Sequence, residues 1–466
     1  TLKAYFEGKK DLFTGLALAE LEKEWQTYPV FHLDFNVGDY HRPGGLDSAL
    51  DDNLCWLEEE WGINPQETSF PARFRGLIRR AAEKTGKQVV VLIDEYDKPL
   101  LETEDKEKRD EARNTLRAFY GVLKSADPWL RFYLITGITR FSKISIFSEL
   151  NQLLDISMKE KYASLCGITP TELLDYFTPD IRALAEKNGI GFEEALEKTR
   201  KRYNGYRFTH DNVSVYNPFS LLNALNDKFL KNYWFETGTP AFLVKALAEL
   251  DFDPRTLTDS VTIGADSVMD YRFDNSDPVP LLYQSGYLTI KKYEPDMGMY
   301  TLGFPNGEVE YGFLRELLPA YSPWVQGSRQ GLYIGNFIKD LDAGDIDSLL
   351  TRLRALFAGI PYPLTPQNEY HYQTLLYLVF TMMGEFAQAE VAGSAGRSDM
   401  VVIRKDRVYV FEFKLSGSGT AEEALRRTRL LGSLRQEGKK LVKVGVEFDR
   451  EKRTIGRWLA GSPPEG

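Results

Sequence analysis

The sequence predicts an α/β protein in several parts: a doubly wound parallel-sheet domain, a mostly helical middle region, and a separate small α/β domain at the C-terminus. Three observations carry that reading. Short, continuously apolar runs in the first third have the composition of strands buried on both faces of a parallel sheet. Helical periodicity dominates from about Pro170 to Leu250. A Gly/Pro-rich break from Gly359 to Pro366 then precedes an alternating hairpin pattern. With 466 residues the chain has room for two to four domains.

Taken in order, the first strands are Val30–Phe35, Val89–Ile93 and Phe132–Ile135. Helical patterns at Leu46–Glu60, Ala72–Thr85 and Lys106–Ser125 are long enough to serve as the crossovers that parallel strands require. The helical middle is interrupted by the turn-rich segments Tyr203–Phe208 and Tyr216-Asn217-Pro218. A strand at Tyr287–Tyr293, a loop at Pro305-Asn306-Gly307 and helices to about Phe357 follow. The last hundred residues restart with an apolar helix, Tyr370–Phe386, and a strand near Gln388–Val391. A hairpin comes next, Asp399–Ile403 and Val408–Lys414 about a turn at Lys405-Asp406, then a helix from Ala421 to about Leu434 and a strand at Leu441–Phe448. The resulting boundaries are 1–165, 166–325, 326–362 as a helical connector, and 363–466.

Composition narrows the function. Hydrophobic residues make up 43% and charged residues 27%, an ordinary globular balance that excludes disordered and fibrous classes. No apolar run is long enough to span a bilayer and no signal core opens the chain, so a cytoplasmic protein is expected. Two cysteines, Cys55 and Cys166, exclude a disulfide framework and a structural zinc site. The four histidines form no recognisable triad with a serine or cysteine. Net charge is −10, against indiscriminate coating of nucleic acid. From Gly393 onward, however, 16 Lys and Arg face 10 Asp and Glu. That basic end is where nucleic acid is expected, with no membrane partner and a homo-oligomer as a further option.

The sharpest chemical signal is Asp399 followed by Glu412-Phe413-Lys414. Alternation along a strand puts Glu412 and Lys414 on one side, and the hairpin returns them beside Asp399. Two carboxylates suit Mg²⁺ or Mn²⁺, and a neighbouring lysine suits an attacking water and a phosphoryl group gaining charge. That is phosphodiester hydrolysis, and Glu369 at the start of the preceding helix is a further candidate ligand. Alone, Glu-x-Lys is more often a surface ion pair. A second signal is the apolar strand ending in Asp94-Glu95, at the carboxyl edge of a parallel sheet. There Asp94 suits a Mg²⁺ site, and Glu95 suits the water that attacks a γ-phosphate.

Context sharpens both. Glu369-Tyr370-His371-Tyr372-Gln373, Gly396-Arg397-Ser398-Asp399, Phe411-Glu412-Phe413-Lys414 and Lys443–Phe448 resemble the PD-(D/E)XK nuclease domain at the C-terminus of a bacterial AAA-ATPase-like family. The resemblance implies a restriction-endonuclease-like fold for the last domain, with Asp399, Glu412 and Glu369 as metal ligands and Lys414 as catalytic lysine. Where the family places Gln-Ile after Ala424-Leu425, this chain has Arg427-Thr428, and Arg426 and Arg427 with Arg397 become phosphate contacts. Leu92–Pro99 and Leu134–Lys143 resemble the Walker B and sensor segments of the same family, which makes the first domain P-loop NTPase-like. Thr136 is then the sensor and Arg140 a phosphate-facing charge.

No Gly-x-x-x-x-Gly-Lys-Ser/Thr occurs. Because the chain opens at Thr1, truncation just downstream of that loop is one account and natural loss the other, and ATP is expected to bind the full-length protein. Tyr203–Phe208, Tyr216–Phe219, Tyr233–Gly238 and Gly303–Asn306 also resemble family markers and read as turns and packing, without a catalytic role. The leading expectation is a metal-dependent nuclease coupled to an AAA-like ATPase module. The runner-up is a catalytically silent nucleic-acid-binding or regulatory protein that uses the same folds as docking and oligomerisation platforms.

Overall fold

The computed structural model describes the chain except for residues 104, 140–151, 211–212, 237–246, 248–256, 258–259, 270–276, 322–328, 359–377, 381–387, 395–396, 405, 416–418, 424–438, 450, 453 and 462–466. It divides into two compact units, residues 1–156 with 264–285 and residues 157–263 with 286–466. Among the described residues no helix is long and apolar enough to cross a membrane.

In the first unit β1 (Val30–Asp34), β2 (Val89–Asp94) and β3 (Leu130–Ile135) form a parallel sheet in that order. The crossovers are α1 (Gly45–Trp61) with α2 (Phe70–Thr85), and α3 (Lys106–Ser125). Their ends are written in the sequence. Ser69 Oγ accepts from Ala72 N at 3.3 Å, Pro71 sits in the first turn, and Gly86 stops α2 in the left-handed region. Asp105 caps α3 from Lys108 N at 2.9 Å. Val89 to Ile93 are all buried, as the unbroken apolar run requires, while Phe74 and Phe119 stack at 4.7 Å to join α2 to α3. Parallel strands bring their carboxyl ends to one edge, and here that edge carries Asp34 and Asp94 in register.

The helical stretch of the second unit contains α4 (Pro170–Asn188), α5 (Phe192–Tyr203) and α6 (Pro218–Asp227), with β4 (Asn204–Tyr206) paired to β5 (Val215–Tyr216). Thr169 and Glu172 form a capping box at the start of α4. A small sheet follows in the order β6-β8-β7, from β6 (Val261–Gly264), β7 (Thr289–Glu294) and β8 (Met299–Gly303), and then α7 (Gly307–Tyr321).

The aromatic and Gly/Pro segments singled out in the sequence lock these pieces together. Tyr203 and Tyr216 are buried in one cluster with Leu173, Leu184 and Leu221. Asn217 caps α6, Asn306 caps α7, and Glu308 Oε1 accepts from Trp234 N at 3.0 Å. Gly205 sits at φ +126, where a Cβ would lie 2.0 Å from Pro305 O. Only glycine satisfies both conditions. Gly205→Ala is therefore expected to cost about 2–3 kcal/mol, seen as a lower urea midpoint at unchanged slope. An unchanged midpoint would show that the loop shifts freely.

The C-terminal part of this unit has α8 (Arg329–Ala343) and α9 (Ile346–Ala358), then β9 (Gln388–Ser394), β10 (Arg397–Ile403), β11 (Arg407–Leu415), β12 (Lys440–Asp449) and β13 (Thr454–Gly461). The five strands lie in the order β13-β12-β11-β10-β9, with only β11–β12 parallel. α8 and α9 pack against one face: Tyr409 OH donates to Leu341 O at 2.5 Å, and Phe357 meets Phe448 edge-on at 5.1 Å. The opposite face carries the apolar cluster Val401, Ile403, Val408, Val410 and Leu441. β13 is absent from the sequence reading. It is an edge strand in which only Ile455 is buried, so it has no apolar alternation to detect. Of the expected helix Tyr370–Phe386, residues 378–380 are described and are helical, and Phe380 packs on Phe411 at 4.9 Å. The Gly359–Pro366 break lies outside the described residues.

Candidate functional site

The centre of the C-terminal sheet follows from the alternation of β11. Val408 and Val410 join the apolar cluster, so Glu412 and Lys414 continue along that face while Tyr409, Phe411 and Phe413 point to the other. Position 412 is the direct register partner of position 399 on β10. Directly opposed positions hold their Cβ atoms about 4.5–5.5 Å apart, a spacing from which two carboxylates can share one cation. Glu412 is 6% exposed, and its Oε1 lies 3.1 Å from Lys414 Nζ. The pair lets each side chain keep an opposite charge beside it where water is largely excluded. The lysine stem is also held. A Cβ on Gly419 would come within 3.1 Å of Lys414 Cδ, so the glycine backbone lies directly against it. Thr420 and Glu423 form reciprocal cap bonds just beyond, at 3.2 and 3.3 Å.

The donor set at positions 399 and 412, hard carboxylate oxygens beside an ammonium, fits Mg²⁺ or Mn²⁺ better than a softer ion. Among the described residues no group of three or more His, Cys, Asp or Glu forms a cage for a metal. The expected helix ligand Glu369 lies outside the described residues, as do Arg426, Arg427 and Arg140. Arg397 opens β10, opposite Ser394 of β9.

The carboxyl edge of the parallel sheet gathers the second set. Asp94 ends β2 exposed, and Thr136, the residue after β3, donates its hydroxyl to Asp94 Oδ1. The backbone fixes this pairing: Thr136 N donates to Ile93 O at 2.9 Å and Tyr96 N to Thr136 O at 3.0 Å. Glu95 occupies the left-handed region at φ +54, uncommon for a residue with a Cβ. Its Oε2 is buried with no hydrogen-bond partner among the described residues. Burial, with Asp97 and Asp94 nearby, raises its carboxyl above the usual range and makes it a better proton acceptor.

Sequence reading missed Asp97. Fully buried, it accepts from Ile138 N at 3.2 Å, Thr139 N at 2.5 Å and Thr139 Oγ1 at 2.6 Å. It thereby clasps the turn that follows Thr136. Gly137 is what lets the turn come so close, since a Cβ there would sit 2.4 Å from Asp97 Oδ1. Burial still leaves the Asp97 carboxyl raised, although these bonds oppose the shift. A third acid in Asp94-Glu95-Tyr96-Asp97 was visible, but nothing local names partners so far along the chain.

Comparison with known proteins identifies the domain that carries each of these clusters. Residues 1–147 match the family described as predicted AAA-ATPase, and residues 367–458 match the PD-(D/E)XK nuclease superfamily. The chain is 34% identical over 469 aligned positions to the "Uncharacterized protein in vnfD 5'region" of Azotobacter chroococcum mcd 1, covering 98% of this chain and 87% of that protein. No solved structure matches. With that identity spread along nearly all of both sequences, the chain belongs to the family of the Azotobacter protein, and it pairs an AAA-ATPase-like module with a PD-(D/E)XK nuclease superfamily domain.

Proposed function

We propose that this protein is a divalent-metal-dependent nuclease, hydrolysing phosphodiester bonds of DNA or RNA in its C-terminal domain, coupled to an AAA-like ATPase module. The buried Glu412–Lys414 pair opposite position 399 is the observation that supports this most. Asp399 and Glu412, completed by Glu369, would hold Mg²⁺ or Mn²⁺, which supplies Lewis acidity when bound. Lys414, held in place by its carboxylate, would orient the attacking water and donate hydrogen bonds to the phosphate oxygen that gains charge. Arg397, Arg426 and Arg427 contact backbone phosphates in the basic C-terminal segment. ATP would bind at the first sheet. Asp94 would hold its Mg²⁺ there, Glu95 would accept the proton of the attacking water, and Thr136 and Arg140 would read the γ-phosphate. The reading places the protein in the cytoplasm and leaves room for a homo-oligomer.

The test is cleavage of labelled single- and double-stranded DNA and RNA with Mg²⁺, Mn²⁺ or EDTA. The expected result is metal-dependent cleavage that falls by roughly 10²-fold or more in Lys414→Ala. A folded wild-type chain that binds nucleic acid and cuts none of these substrates would sink the proposal in favour of a docking module.

A further inference from the structure

Lys414 has another carboxylate beside it. β12 runs parallel to β11 with Glu447 opposite Lys414 and Gly445 opposite Glu412. Residues directly across a sheet share a face, so Glu447 lies on the face of Glu412 and Lys414, on the side of β11 away from position 399. Gly445, directly opposite Glu412, carries no side chain. One row thus runs Asp399, Glu412, Gly445, and the next runs Lys414, Glu447 and Arg457, the partner of Glu447 on β13.

This arrangement answers a difficulty in the reaction proposed above. Glu412 neutralises Lys414 at 3.1 Å, yet the same carboxylate is assigned to a divalent ion. A carboxylate that gives its charge to a dication no longer restrains the ammonium, and the dication repels it. With a side chain only 17% exposed, Lys414 needs a second anion to hold it in place. The neighbouring acids are committed elsewhere: Glu423 Oε2 caps Thr420 N at 3.2 Å, and Glu422 holds Arg457 at 2.9 Å. Among the described residues Glu447 makes no ion pair within 4.0 Å.

We propose that Glu447 is a positioning residue of the nuclease centre, taking over the Lys414 ammonium when Glu412 turns to the metal. The proposal rests on the nuclease reading. Two carboxylates flanking the lysine, one on its own strand and one on the next, let the pairing pass from one to the other without the lysine leaving the face. Glu447 touches neither metal nor substrate and acts only through Lys414.

The experiment is an amine-reactive footprint of Lys414 by mass spectrometry on the full chain, with and without Mn²⁺, in wild type, Glu447→Gln and Glu447→Asp. Wild-type Lys414 should stay protected in both conditions. In Glu447→Gln it should label like wild type without Mn²⁺ and several-fold faster with it, and Glu447→Asp should restore part of the protection. Kinetics give a second readout: in Glu447→Gln kcat falls roughly 10- to 100-fold while KM for nucleic acid and half-saturating Mn²⁺ stay unchanged. Equal labelling of wild type and Glu447→Gln with Mn²⁺ present overturns the proposal, and if the wild type still cleaves, the nuclease reading survives without it. A wild type that cleaves nothing removes the nuclease reading and this proposal together. A Glu447→Gln chain whose loss lies in Mn²⁺ half-saturation makes Glu447 a metal ligand, which also overturns it.

Discussion

Glu412→Gln is expected to reduce metal-dependent cleavage by about 10³-fold while leaving the chain folded. Glutamine keeps the length and one acceptor oxygen, so the strand register and the packing around it persist. What disappears is the negative charge opposite position 399, on which a hard dication depends. Breaking a fully buried ion pair costs about 3–5 kcal/mol, but Lys414 retains some solvent access and has Glu447 across the strand. A stability loss of only about 1–2 kcal/mol therefore follows. Single-turnover cleavage and calorimetric Mn²⁺ titration together check the prediction. A variant that cuts at the wild-type rate would show that Glu412 is a structural partner of Lys414 and nothing more.

Asp97→Ala is expected to lower the stability of the first unit by about 3–5 kcal/mol. The carboxylate accepts three hydrogen bonds, and alanine strands Ile138 N, Thr139 N and Thr139 Oγ1 together. Each buried donor left without an acceptor costs about 1–3 kcal/mol, and partial relaxation of the turn keeps the total below the simple sum. Asp97→Asn is a sharper probe. It keeps the shape and one acceptor but turns an NH₂ toward donors, so most of the loss should remain. Urea denaturation with amide exchange at Ile138 and Thr139 measures it, and unchanged exchange at those two amides would refute the clasp.

The elements that were legible in the sequence are those whose partners are local or whose burial is complete. β2 reads directly because both its faces are covered, leaving an unbroken apolar run. Glu412 and Lys414 were legible because strand alternation is a local rule and a short hairpin brings Asp399 into register. β13 was not, because an exposed edge strand carries no apolar period. Asp97 and Glu447 share a different obstacle. Each is defined by a residue that only topology brings near, Thr139 in one case and Lys414 in the other, and one sequence contains no rule for either meeting.

The single parallel pairing of the C-terminal sheet, β11 with β12, also sets the order in which a ribosome can deliver the proposed nuclease centre. Antiparallel neighbours are joined by a turn, so β9, β10 and β11 emerge as one meander that already holds positions 399 and 412 opposite each other. Parallel neighbours cannot be joined that way. The strand bearing Glu447 must cross back after its partner has been made, so positions 399 and 412 are opposed on a growing chain before Glu447 comes to lie opposite Lys414.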